Sequence, residues 1–243
     1  MKKAITTLIL GAIAVAMLIG CSSAPNNGGS SETTTEIMTT TTEATTTTTE
    51  ATTTAKQVSE GDLEIKPYLY TYKSSWSDDT VCFLVIKNNF SEPLSIDFNL
   101  LAHDADDNVI GANKAYVSFV GPNENTIGFC VFEHVQGVDH VSYTMKFNDP
   151  KNSKPIVSNL EIQNHISKKN IVVSVTNNCD IEIDAKSIEI VVFFLDKNGK
   201  LVDYNAGYLS EYSEMMSPGT TLSKQLPIYE KYNSIEVYLV DHR

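Results

Sequence analysis

Basic side chains are scarce in this 243-residue chain, with 18 Lys and Arg against 30 Asp and Glu and a formal charge of −12. That balance argues against nucleic acid as a partner, because binding phosphates requires clustered Lys and Arg to displace counterions. Cysteine is also sparse at four, and the five histidines (His103, His134, His140, His165, His242) show no His-x-x-x-His spacing. With no Cys-x-x-Cys either, zinc ligation has no local motif, and neither metal nor cofactor is expected. The chain lacks a Gly-x-Ser-x-Gly elbow, a Gly-x-x-x-x-Gly-Lys loop and a His-Glu-x-x-His helix, so three large catalytic classes lose their signatures. The longest apolar run, Ala4 to Gly20, would span only about 25 Å as a helix, short of the ~30 Å hydrocarbon core. It does not read as a membrane span.

What is present divides into unlike segments. Residues 1–20 hold 14 apolar residues behind Met1-Lys2-Lys3, the pattern of a secretory signal. The run ends at Leu18-Ile19-Gly20-Cys21, which resembles the bacterial lipobox. The resemblance implies diacylation of Cys21, which becomes the mature N-terminus. A membrane partner through that anchor and an extracytoplasmic location follow as expectations, since two or more acyl chains hold firmly. Residues 21–56 hold only 7 apolar residues, and 15 of the 22 residues from Thr33 to Thr54 are Thr. Glu36, Glu43 and Glu50 recur every seven residues without an apolar seam, so a coiled coil is excluded. Such a tract cannot offset chain entropy and is expected to be a disordered tether.

From residue 57 onward, β-branched and aromatic runs alternate with Asn, Asp, Gly, Pro and Ser clusters, the pattern of an all-β sandwich. The region also repeats itself. Val81 to Asn89 matches Asn170 to Asn178, Leu100 to Asn108 matches Val192 to Gly199, and Gly121-Pro122-Asn123 matches Ser217-Pro218-Gly219. His140 to Met145 matches Ser234 to Leu239. The seam is the polar Asn148 to Pro155, giving domains at 57–149 and 156–243. Units of this length fit immunoglobulin-like sandwiches of seven strands, with one modest core apiece. The run Phe193-Phe194-Leu195-Asp196-Lys197-Asn198-Gly199 resembles the FxLYD-type and related immunoglobulin-like modules of bacterial surface lipoproteins. The first repeat departs from it, with Ala102-His103-Asp104 at that step. The resemblance implies two tandem extracellular sandwiches and carries over no catalytic residues.

Candidate sites are few. Asp104-Ala105-Asp106-Asp107-Asn108 reads as a hairpin turn, because the Gly and Glu of a calcium loop are replaced by Val109 and Ala115. Cys82 and Cys130 align with core positions Ile171 and Leu226, so both point inward, either as a disulfide or as two buried thiols. Cys179 follows Asn177-Asn178 and is expected to be exposed and unpaired. Tyr68, Tyr70 and Tyr72 alternate and share one strand face, with Trp76 beyond, so this group is a candidate ligand face for an extracellular polysaccharide or protein. Tyr204, Tyr208 and Tyr212 form a second cluster beside Met215-Met216. Function is thus expected to be non-catalytic binding at the cell surface. A structural spacer or assembly subunit is the alternative, and an extracellular hydrolase is a more distant one.

Overall fold

The computed structural model describes residues 58–72, 78–150 and 154–243. The expected signal, tether, Cys21 and Trp76 lie outside the described residues, which belong to one compact unit, Thr54–Arg243. The chain is all-β there, with three single turns of 3-10 helix at Glu60–Asp62, Val157–Asn159 and Ala185–Ser187. No helix among the described residues is long and apolar enough to cross a membrane.

The first repeat supplies β1 (Leu63–Thr71), β2 (Thr80–Asn88), β3 (Leu94–His103), β4 (Val109–Val120), β5 (Asn125–Phe132) and β6 (His140–Asn148). The second supplies β7 (Leu160–Ser167), β8 (Asn170–Asn177), β9 (Ile183–Asp184), β10 (Ile188–Leu195), β11 (Leu201–Tyr208), β12 (Met215–Met216), β13 (Thr221–Pro227) and β14 (Ser234–Asp241). Each repeat folds into two antiparallel three-stranded sheets: β1-β2-β5 over β4-β3-β6, and β7-β8-β13 over β11-β10-β14. The short β9–β12 ribbon is added to the second. The first repeat therefore uses six strands, three on each face, rather than seven.

The duplication extends to individual hydrogen bonds. Asn88 and Asn177 are both wholly buried at the ends of β2 and β8. Asn88 Nδ2 donates to the carbonyls of Glu92 (2.9 Å) and Val120 (3.1 Å), and its Oδ1 accepts the Phe90 N–H. Asn177 Nδ2 donates to Ile181 (2.9 Å) and Met216 (2.8 Å), and its Oδ1 accepts the Cys179 N–H. Each amide satisfies backbone groups stranded where the chain crosses between sheets, a job an apolar residue cannot do. This bond also corrects the expectation for Cys179. The thiol occupies the place of Phe90, is 8% exposed, and packs in the second core with Sγ 3.8 Å from the Ile156 carbonyl. Asp104 and Asp196 cap equivalent hairpins, each accepting two backbone N–H groups of its own turn.

The two expected cores exist, and a third apolar layer lies between them. Along β2, Cys82, Leu84 and Ile86 face the first core, whereas Val81, Phe83 and Val85 face the second sandwich. Along β10, Ile190, Val192 and Phe194 face the second core, whereas Val191, Phe193 and Leu195 face the first sandwich. Strands buried on both faces need unbroken apolar runs, as in Val81 to Ile86 and Ile190 to Leu195. Tyr68, Ile127, Leu201 and Val240 complete the seam, so four sheets stack into one body. At the junction, the buried Glu124 carboxylate accepts the Gly121 N–H (2.8 Å) on one oxygen and the Ser158 N–H (2.9 Å) on the other. A Cβ on Gly121 would collide with that carboxylate and with Pro155.

Candidate functional site: an aromatic groove beside the seam

The three alternating tyrosines do share a face, but that face turns toward the second sandwich. Tyr68 is 4% exposed, its ring stands edge-on to Phe193 at 5.0 Å, and its hydroxyl donates to Glu236 Oε2 at 2.5 Å. Glu236 also accepts from Tyr238 (2.6 Å) and from Lys66 (3.2 Å). Burial alone would raise the Glu236 pKa, but these three donors outweigh it and hold the carboxyl below its ordinary value. Tyr70 meets the rings of Tyr72 and Tyr204, each at 5.3 Å. Tyr72 and Tyr204 join hydroxyl to hydroxyl at 2.6 Å, and burial with this bond pushes Tyr204 well above the ordinary phenol range. Tyr68 and Tyr70 are thus seam residues and not an open platform. They lie where the second sandwich removes them from solvent.

Beyond Tyr72 the two sandwiches leave a groove of about 480 Å³. Its walls include Phe83 and Phe129 from the first sandwich and Val191 and Tyr204 from the second, with Tyr116 at its edge. Strand alternation puts Ile127, Phe129 and Val131 on one side of β5. Ile127 is covered by the second sandwich, whereas Phe129 and Tyr116 are each 60% exposed. Gly128 between them permits close packing, since a Cβ there would meet Val117 at 3.1 Å. The polar wall comes from β10 and the end of β14. His242 Nε2 lies 2.8 Å from Glu189 Oε2, and Asp241 pairs with Arg243 at 2.8 Å. Both carboxylates therefore have cationic or imidazole partners, and the groove offers flat apolar surface with a hydrogen-bonding edge. It suits binding.

Cys82 and Cys130 stand directly opposite each other in the β2–β5 ladder, both buried. Opposed antiparallel residues have Cα atoms about 4.5–5.5 Å apart, inside the range a disulfide requires. Here both are free thiols, and a hydrogen bond to Cys130 together with burial holds the Cys82 proton above the ordinary thiol range.

Two clusters that local spacing did not reveal also form. Asp78, Asp79 and His134 meet beside residues 73–77, which lie outside the described residues. His103, His140 and Asp107 meet on the outer face of β4-β3-β6. There His103 Nε2 lies 2.8 Å from Ser142 Oγ and its Nδ1 lies 3.3 Å from Asp107 Oδ1. This connectivity resembles a hydrolytic triad, with Ser142 exposed on the sheet face. Only the β3–β6 register, in which His103 pairs with His140, could have exposed this cluster from sequence.

No family model matches the sequence, and no curated protein matches it. Among solved structures, red sea bream transglutaminase is similar over 76% of this chain and 31% of that chain, at 12% identity and a TM-score of 0.24. At that score the likeness carries no argument about this chain. The fold stands on its own sheets and cores.

Proposed function

We propose that this chain is a lipid-anchored, extracytoplasmic binding module made of two immunoglobulin-like sandwiches of the FxLYD type. In this reading Cys21 carries the anchor, the Thr-rich tract lifts the sandwiches from the membrane, and no reaction is catalysed. The observation that carries the proposal is the groove, where Phe129 and Tyr116 stay 60% exposed beside a wall of Glu189, Asp241 and His242. Exposed rings stack against the apolar faces of sugars, while carboxylates and imidazole accept or donate to hydroxyls. A charge of −12 disfavours anionic wall polymers, so the ligand class that fits is a neutral polysaccharide.

A rigid spacer or assembly subunit is the second reading, favoured by the apolar seam that locks the sandwiches together. Glycan-array binding of the full chain separates the two. The binder predicts retention on neutral glycans that Phe129→Ala or Tyr116→Ala removes. Absence of retention on any glycan supports the spacer. Mass spectrometry of membrane-extracted protein tests the anchor, which requires a diacylglyceryl Cys21.

A further inference from the structure

We propose that His103, His140 and Asp107 form a binding site for a divalent transition-metal cation of the zinc type. Asp107 Oδ1 lies 3.3 Å from His103 Nδ1 and 3.3 Å from His140 Nε2. Ligand atoms on a four-coordinate zinc, bonded at about 2.0–2.1 Å, are separated by about 3.3 Å, so these gaps match two edges of a coordination tetrahedron. The imidazoles stack across the β3–β6 ladder at 4.8 Å with an 8° tilt, and the three donor atoms lie within 4.8 Å of one another, so rotation of a ring about its Cβ–Cγ bond is needed to aim both nitrogens at one ion.

The opposite nitrogens are held from outside the trio. His103 Nε2 meets Ser142 Oγ at 2.8 Å, and His140 Nδ1 meets Asp139 Oδ2 at 3.2 Å. Metal-bound histidines are typically fixed in this way, with the distal N–H given to a hydroxyl or carboxylate so that the other nitrogen presents its lone pair. Two imidazole nitrogens and one carboxylate suit zinc or copper better than calcium.

The second repeat serves as an internal control. Its equivalents of His103, Asp107 and His140 are Leu195, Gly199 and Ser234, and its ladder pairs Leu195 with Ser234. The same bulged hairpin is therefore built without any of the three donors. Asp104, by contrast, has its counterpart in Asp196, and its carboxylate is taken up by Asn108 and Asp106. Asp107 holds φ at 65° where the second repeat places Gly199 at 78°. A carboxylate stands where glycine would fold more easily. A hydrolytic role for Ser142 leaves His140 and the shared Asp107 contact unexplained, whereas one cation accounts for both. His140 and Asp139 also line a 580 Å³ cleft, which places the three-donor site at the edge of an open space.

The test uses the untagged full chain, titrated with Zn²⁺ against a chromophoric chelator and with Co²⁺ by visible absorption. One equivalent should bind, with a four-coordinate Co²⁺ spectrum. The triple change His103→Leu, Asp107→Gly, His140→Ser imports the second repeat's residues and should weaken binding at least tenfold with an unchanged circular dichroism spectrum. Asp107→Asn alone should weaken it with the hairpin intact. Asp139→Asn should weaken it roughly tenfold, the usual effect of removing an orienting partner, and His134→Ala should leave it unchanged. Absence of one-to-one binding, binding that survives in the triple variant, or loss on His134→Ala overturns the site. Covalent labelling of Ser142 by a fluorophosphonate also overturns it, because His103 then serves as a base.

Discussion

Phe193 is the residue on which the union of the two sandwiches turns. Its ring is fully buried, 5.0 Å from Tyr68, 5.1 Å from Phe83 and 5.6 Å from Tyr238. Phe193→Ala removes that burial and leaves a cavity between two sheets that cannot collapse independently, at a cost of about 3–5 kcal/mol. In a unit of this size each kcal/mol moves the melting temperature by about 2–4 °C, so the expected drop is roughly 6–20 °C. Tyr212→Ala, at a side chain 80% exposed, should change stability by no more than about 0.5 kcal/mol. Calorimetry can also separate the seam from the cores. Phe193→Asp places an unpaired charge in the seam and leaves both cores untouched, so one unfolding transition should become two. Phe194→Asp, one residue on, enters the second core and should abolish that sandwich outright. Phe193→Ala melting within a degree of Tyr212→Ala would refute the claim that the seam contributes to folding.

Other outcomes follow from single contacts. Glu124→Ala releases the Gly121 and Ser158 donors at the junction and should cost about 2–4 kcal/mol, measured by urea denaturation. Mild oxidation with oxidised glutathione should join Cys82 to Cys130, with a 2 Da mass loss absent in Cys82→Ala. Closing that loop should add up to about 4 kcal/mol. Burial holds the Asp203 carboxyl, whose Oδ2 lacks a hydrogen-bond partner, above its ordinary value of 3.8. The folded state therefore binds that proton more tightly, and its stabilising effect is present below pH 3.8 and lost as pH rises through the folded value. Asp203→Asn should flatten this limb of the stability–pH curve. Glu236 has the opposite sign: its depressed pKa gives stability present above pH 4.5 and lost as pH falls through the folded value, and Glu236→Gln should remove that dependence.

The sequence exposed what is local and periodic. Alternation identified the strands, and matching Asn-Asn, Asp-led and x-Pro turns disclosed the repeat, because the Asn and Asp side chains bond their own backbone and Pro presets its φ. Other features depended on spatial partners. The run Val81-Cys82-Phe83-Leu84-Val85-Ile86 is apolar on both sides of its strand and already implies two covered faces, although only one core per repeat was expected. The tyrosines alternated as expected, yet nothing in β1 announces that Phe193 and Glu236, more than a hundred residues away, would cover Tyr68. Cys179 was misjudged because its turn looked polar, while the Asn177 side chain draws its backbone inward. The His103–His140 pair arises only from register, which spacing rules for helices and loops do not encode.

The seam also joins unlike faces. Sheet β1-β2-β5 of the first repeat meets β11-β10-β14 of the second, whose counterpart in the first is β4-β3-β6. A head-to-tail contact of this kind leaves one sheet of each repeat outside the seam, where a further unit could in principle be added. The outer faces differ in chemistry from the seam. The positions of Val81, Phe83 and Val85 become Asn170, Val172 and Ser174 in β8, beside hydroxyl pairs between Ser174 and Ser223 and between Thr176 and Thr221. Those of Val191, Phe193 and Leu195 become Asn99, Leu101 and His103 in β3. A further unit docking by the same geometry would therefore have to desolvate polar side chains on either outer sheet.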